Sequence, residues 1–274
     1  MFIYKRAWKF SIILVLVALL SHSGLKAQSE SWKSTDWQIG AGSTYIFDDY
    51  LSPISYNALS FRFSTENFKP IGKISKTDEG KWFNQNYINL LPALTSTRSG
   101  ASLYHIQAEF RNTTYKKFYQ DKSWDLYAGG SLSLRGGGRL VRQTRNNPGS
   151  ADIMTDLGVS FMAKYKLELW DKPIEIRYCG NLSLLGLAFS PEYAQSYYEI
   201  FYLGNYSNTT KFTSLINKQH WVQQLSIDIP LTAKKSSMRI SYWNEGRISL
   251  LNDINTKVLS DQLTFGFVRY FKVF

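Results

Sequence analysis

Along residues 151–169, and again along 174–184, apolar and polar side chains alternate one for one. Ala151, Ile153, Leu157, Val159, Phe161, Tyr165 and Leu169 hold one set of positions. Asp152, Asp156, Ser160, Lys164, Lys166 and Glu168 hold the other. After Asp171-Lys172-Pro173 the pattern resumes, with Ile174, Ile176, Tyr178, Leu182 and Leu184 set against Glu175, Arg177, Cys179, Asn181 and Ser183. A period of two marks a strand with one greasy and one polar face, whereas a helix would repeat every 3.6 residues. The open question is direction, because a soluble barrel turns the greasy face inward and a membrane barrel turns it outward.

The same alternation runs through segments 36–46, 55–68, 102–118, 122–136, 217–231, 235–249 and 258–274. It is less clean in 81–96, where Pro92 predicts a bulge or distorted pairing. With the opening pair this makes ten strands, in a chain whose Trp, Tyr and Phe content of 8, 18 and 17 favours β structure. Connections 119–123, 171–173 and 232–236 are tight. Those at 47–55, 135–150, 190–216 and 244–260 read as longer loops on the opposite end. Short turns at one end and long loops at the other are the habit of outer-membrane barrels.

Two observations set the direction. Several strands alternate for 15–19 residues, far beyond the roughly 5–6 of soluble sheets and beyond the about 9–11 needed to cross a bilayer. Aromatics also gather at the turn ends (Trp37, Trp82, Tyr115, Phe118, Tyr119, Trp124, Trp170, Phe271 and Phe274), where a membrane girdle is expected. The reading is an all-β, transmembrane, antiparallel up-and-down β-barrel of 10 strands. It becomes 12 if residues 192–216 add a hairpin. Odd residues of 151–169 and even residues of 174–184 then face lipid.

The start of the chain fits export. Lys5, Arg6 and Lys9 precede the apolar run Phe10–Leu20, and Leu25-x-Ala27 offers a cleavage site, so residues 1–27 read as a signal peptide and 28–274 as the barrel. Cleavage removes four basic residues and no acidic one, taking the formal charge from +11 to +7. Those charges are scattered, without a basic helix or zinc spacing, so nucleic acid is not an expected partner. Outer-membrane lipid is. The lone Cys179 rules out an intrachain disulfide.

The ending LTFGFVRYFKVF resembles the last strand of bacterial outer-membrane barrels, whose terminal Phe is read by the barrel assembly machinery. Counting back from Phe274, however, Leu263, Phe265, Phe267 and Phe271 fall on the opposite, greasier face. The segment IFDDYLSPISY (46–56) resembles the Y-L-S-P signature of an uncharacterised Gram-negative outer-membrane barrel family, and PEYAQSYYEIFYLGN (191–205) is similar to a second block of it. The resemblance implies fold and cell outer-membrane location and no chemistry.

For chemistry, His105 and His220 should point into the lumen near the loop end, with Asp152, Asp156 and Glu245 close by. A His–carboxylate group at an outer rim could polarise water for hydrolysis. The competing reading is the hydrogen-bonded network that lumenal charges need in any small barrel. No nucleophile elbow, zinc-protease motif or phosphate loop is present, so no cofactor or metal is expected. Ten strands leave a lumen that side chains fill, whereas twelve leave room for a small-solute path. The expected role is therefore structural, partner-binding or narrow transport, with the rim hydrolase as the alternative. Segment 192–216 could plug the lumen, and its Tyr193, Tyr197, Tyr198, Phe201 and Tyr202 suit contact with an envelope protein or a glycan.

Overall fold

Strands that alternate over such lengths pair edge to edge until the sheet meets itself. The computed structural model describes residues 32–71, 81–96, 102–142, 149–169, 172–193, 195–232 and 235–272. The expected signal peptide, Trp170, Asp171 and Phe274 lie outside the described residues. The elements are β1 (Trp32–Asp48), β2 (Ser52–Pro70), β3 (Trp82–Ser96), β4 (Ser102–Gln120), β5 (Trp124–Val141), β6 (Gly149–Leu169) and β7 (Lys172–Phe189). They continue with α1 (Tyr197–Phe201), β8 (Thr210–Ser214), β9 (Lys218–Thr232), β10 (Ser236–Leu251) and β11 (Ile254–Lys272). Neighbours in the chain pair antiparallel, and β11 returns to β1, from Trp32↔Lys272 to Asp48↔Thr256. The wall is therefore a closed antiparallel barrel.

The count around the wall is ten. β8 pairs with the outer end of β7 (Phe189↔Thr210 to Leu185↔Ser214), and β9 takes over below it (Leu182↔Trp221 to Glu175↔Asp228). β8 and β9 are thus one descending strand interrupted at Leu215–Asn217, not the extra hairpin of a 12-strand barrel.

The greasy face is outside. Leu157 and Phe161 are 58% and 39% exposed on the outer wall, while Asp152, Asp156 and Ser160 are buried in the lumen. On β11 the outward set is Leu263, Phe265, Phe267 and Phe271, with Gln262, Thr264 and Val268 inward. A polar row, Ser43–Asp261–Asn244–Gln223, crosses the outer wall at one register level. It is tied by Trp221 Nε1 to Asn244 Oδ1 at 3.0 Å, Asn244 Nδ2 to Asp261 at 2.9 Å and the Tyr242 hydroxyl to Asp261 at 2.5 Å. Asp261 and Arg269 bracket the apolar stretch of β11. At about 3.3 Å per residue and a tilt of about 40° that stretch spans about 20 Å, close to the roughly 25 Å band of outer-membrane barrels. Trp221 and Tyr242 form an outer aromatic level to match Trp37, Phe118, Tyr119 and Phe271 at the turn end. Gly246 makes this level possible, since a Cβ there would lie 2.1 Å from the Trp221 ring.

Three details depart from the sequence expectation, and the pairing at Pro92 follows it. In β7, Leu157↔Leu185 is followed by Gly158↔Ser183, leaving Leu184 unpaired in a bulge. The bulge shifts parity, so even residues face outward only below it, and Leu185 and Leu187 face outward above it. Tyr115 is no girdle residue. It points into the lumen with Phe68, Tyr127 and Met162. Two expected loops, 135–150 and 244–260, are mostly strand. β5 runs on through Val141 and β6 begins at Gly149, while β10 and β11 are joined by Asn252-Asp253 with φ of 50° and 62°, the left-handed pair of a tight hairpin. Pro92 causes distorted pairing without a slip: the β2–β3 ladder runs from Leu59↔Leu94 and Ser60↔Ala93 to Phe63↔Leu90 in one register and skips the positions between.

Candidate functional site

Inward-facing residues meet across the lumen in tiers. Near the turn end, Arg177 holds Glu66 with both guanidinium nitrogens, one at 2.6 Å, and Arg239 grips Asp228 twice at 2.6 Å while also bonding Asp36. At mid-height Arg62 donates to Glu245 at 2.7 Å, to the Tyr87 hydroxyl at 2.8 Å and to Gln262 at 2.9 Å. Gln107 supplies Glu245's other oxygen at 2.8 Å, and the Arg62 guanidinium lies 4.7 Å over the Trp243 ring. Nearer the loop end, Arg247 clamps Asp152, Arg139 bridges Asp152 and Asp48 at 3.3 and 3.1 Å, and Lys218 pairs with Asp156. All these groups are buried. Unpaired, each would carry a heavy desolvation penalty, and the pairing answers it.

The two histidines take different places. His220, on β9, receives a hydrogen bond at Nε2 from Arg135 (2.6 Å) and contacts the Ser183 hydroxyl through Nδ1 at 2.8 Å. The same Arg135 nitrogen lies 3.3 Å from Nδ1. A guanidinium can only donate, so on the shorter contact Nε2 is the acceptor and Nδ1–H is left to donate to Ser183. In a catalytic pair the serine gives its proton to the imidazole lone pair. Here Arg135 occupies that lone pair, and Glu245 stands 3.9 Å from Nε2. His105, on β4, is buried with no hydrogen-bond partner at either ring nitrogen. The strand order puts β4 and β9 four steps apart around the ten-strand circle, nearly opposite. His220 and Glu245 thus come near each other, while Asp152 and Asp156 are taken up by Arg247, Arg139 and Lys218. Among the described residues no cluster of His, Cys, Asp and Glu is arranged to hold a metal ion. Two lumenal cavities among the described residues, about 20 and 30 Å³, have room for about one water each.

The chain between β7 and β8 lies across the loop-end mouth. Within it Ser190, Pro191, Gln195, Ile200 and Thr209 are buried. Asn252 Nδ2 donates to the carbonyls of Ser190, Pro191 and Asn208 at 2.9–3.1 Å, and the Tyr50 hydroxyl donates to the Gln195 carbonyl at 2.9 Å. The Ala151 N–H donates to the Tyr197 hydroxyl at 2.5 Å. Burial raises the Tyr197 phenol above its ordinary pKa, so it stays neutral. α1 starts on a capping box, with Ser196 and Glu199 satisfying each other's backbone N–H groups. Tyr50 and Tyr197 also meet edge to face, with ring centroids 5.7 Å apart. The two sequence blocks singled out by family resemblance therefore touch each other.

Of the five aromatic candidates, Tyr193, Tyr198, Phe201 and Tyr202 are exposed on this cap, whereas Tyr197 is half-buried and anchors it. Tyr198 and Tyr202 stack at 4.7 Å with planes 20° apart, and Tyr202 is 74% exposed. Leu203 and Tyr206 enlarge the patch. Sequence reasoning missed Ser183, Arg135 and the anchor Tyr50. The S-x-x-E spacing at 196–199 was available as a helix-start signal.

Residues 12–274 match a family described as "Protein of unknown function" (DUF3316). No curated protein matches the chain. Similar solved structures include the outer membrane protease OmpT of Escherichia coli, at 8% identity, covering 92% of this chain and 100% of that one, with a TM-score of 0.48. The transport unit of the autotransporter AIDA-I from Escherichia coli matches at 8% identity, 92% and 94% coverage and 0.42. Ail, the attachment invasion locus protein of Yersinia pestis, matches at 7% identity, 87% and 99% coverage and 0.32. Likeness at these levels says nothing about activity.

Proposed function

The chain belongs to that family of unknown function, and from this premise we propose that it is an outer-membrane barrel with a sealed lumen whose outer cap binds a saccharide. Residues 1–27 would direct export and be cleaved near Ala27. The turn ends would then lie in the periplasm and the cap outside. Support for the membrane comes from the outward apolar band and the aromatic levels at its two edges. Support for a binding role comes from one observation: an ordered, hydrogen-bonded cap holds the stacked pair Tyr198–Tyr202 out in solvent. Soluble surfaces rarely leave such rings uncovered without use, and a flat phenol pair offers both an apolar face and hydroxyl donors to a sugar ring. Transport is disfavoured by the paired charges that fill the lumen. Hydrolysis is disfavoured by the direction of the His220–Ser183 bond.

The test is twofold. The refolded mature protein in planar bilayers is expected to show no channel steps, with or without residues 190–209. On an array of bacterial-surface and host oligosaccharides it is expected to bind a subset, and the Tyr198→Ala/Tyr202→Ala double variant to lose at least tenfold in affinity. Steady conductance of the intact protein, or saccharide binding indifferent to both substitutions, would refute the reading.

A further inference from the structure

A groove of about 630 Å³ lies on the outer wall across β3–β8, within the about 300–1,000 Å³ typical of small-molecule sites. Its floor is built from small residues, Ala108 and Gly136, which are direct register partners on β4 and β5. Its walls are Phe110, Leu134 and Leu187, and it ends at Phe189. Phe189 in turn meets Phe201 of the cap helix, with ring centroids 6.1 Å apart. The groove therefore sits in the apolar band and runs up to the base of the cap. Ile88, Phe110, Leu134, Thr155 and Leu187 share one hydrogen-bonded row, so the groove follows a row of ladder bonds obliquely around the barrel. A side chain at Gly136 would fill it: a Cβ built there meets nothing within 4 Å.

We propose that this groove holds one acyl chain of a membrane lipid. The proposal rests on the outer-membrane reading, because continuity with the bilayer-facing band is what selects hydrocarbon as the occupant. A chain moving from bilayer to groove gains little from the hydrophobic effect, since lipid tails are as apolar as the lining. The gain is contact: a void beside Phe110, Leu134 and Leu187 forfeits dispersion on one side, and a flexible chain restores it. The lipid in the groove is held by shape, and a filled floor removes its place.

Two variants separate the groove from the bilayer around it. Gly136→Leu fills the floor. Gly130→Leu adds the same bulk on the same outward face of β5, outside the groove, where only a carbonyl at 3.9 Å is near. Each protein is placed in dimyristoyl-phosphatidylcholine nanodiscs and released for native mass spectrometry. The wild type and Gly130→Leu are expected to retain one lipid that Gly136→Leu loses. Equal lipid retention in all three overturns the site, and a doubled protein mass lost in Gly136→Leu assigns the groove to a second copy of this chain instead. Failure of the wild type to enter nanodiscs at all, while folded in detergent, strikes at the membrane reading itself and is scored separately.

Discussion

The lumen and the outer cap are made by the same chain and handle exposure in opposite ways. In the lumen, Arg62, Arg177, Arg239 and Arg247 are each buried and each held by a carboxylate on another strand. In the cap, backbone groups are satisfied by Ser196, Glu199, Tyr50 and Asn252, while the rings of Tyr198 and Tyr202 face solvent. These paired lumenal charges are consumed internally, so they report on stability. The stacked rings of Tyr198 and Tyr202 are left to solvent instead, where a ligand can reach them.

The largest expected effect breaks the lumenal side of the contrast. Arg239→Met strands Asp36 and Asp228, both buried and both bonded to that guanidinium. Leaving buried charges unpartnered costs about 3–5 kcal/mol. Urea unfolding of the refolded barrel in micelles measures it, and a loss below about 1 kcal/mol would place the pair with weak surface bridges. Saccharide binding should survive in whatever fraction stays folded, because Arg239 lies near the turn end, far from the cap.

Why the lumen was more legible than the cap follows from how each is encoded. Period-two alternation carries direction for whole strands, so the inward placement of Asp152, Asp156, His105, His220 and Glu245 could be read from parity alone. Parity cannot report who pairs with whom across the lumen. His220 meets Ser183 and Arg135, which lie 37 and 85 residues away in sequence, and only barrel closure brings them together. Parity also fails silently at a bulge: Leu184 carries no local mark that distinguishes it from Leu182. Strand ends were misjudged at 244–260 because Asn and Asp are loop formers, yet at Asn252-Asp253 they close a two-residue turn. The cap's fold depends on single hydrogen bonds between distant segments, such as Tyr50 to Gln195, which no periodic pattern encodes.

A smaller effect tests whether cap and lumen are separate seals. Tyr50→Phe removes the bond to the Gln195 carbonyl and keeps the ring against Tyr197. The loss should be about 1 kcal/mol, the net worth of one hydrogen bond. It should appear as faster proteolysis between Phe189 and Thr210, with global unfolding almost unmoved and the bilayer still silent. Channel openings in this variant would mean that the cap, rather than the paired charges beneath it, closes the barrel.

The smallest effect on stability is the most informative about function. Tyr198 and Tyr202 are exposed, with their main contact being each other. A stacked aromatic pair contributes about 0.5–1.5 kcal/mol when packed, but solvent-facing substitutions away from caps and cores usually fall within about 0.5 kcal/mol. Tyr198→Ala and Tyr202→Ala should therefore leave the urea midpoint and the proteolysis rate of the cap nearly unchanged. Tyr197→Ala is the counterpart in the same helix, since it loses the Ala151 contact and the ring packing on Phe189. It should loosen the cap and weaken binding together. If the two exposed tyrosines proved to move stability as far as Tyr197 does, their rings would be structural, and the cap would join the lumen as a seal.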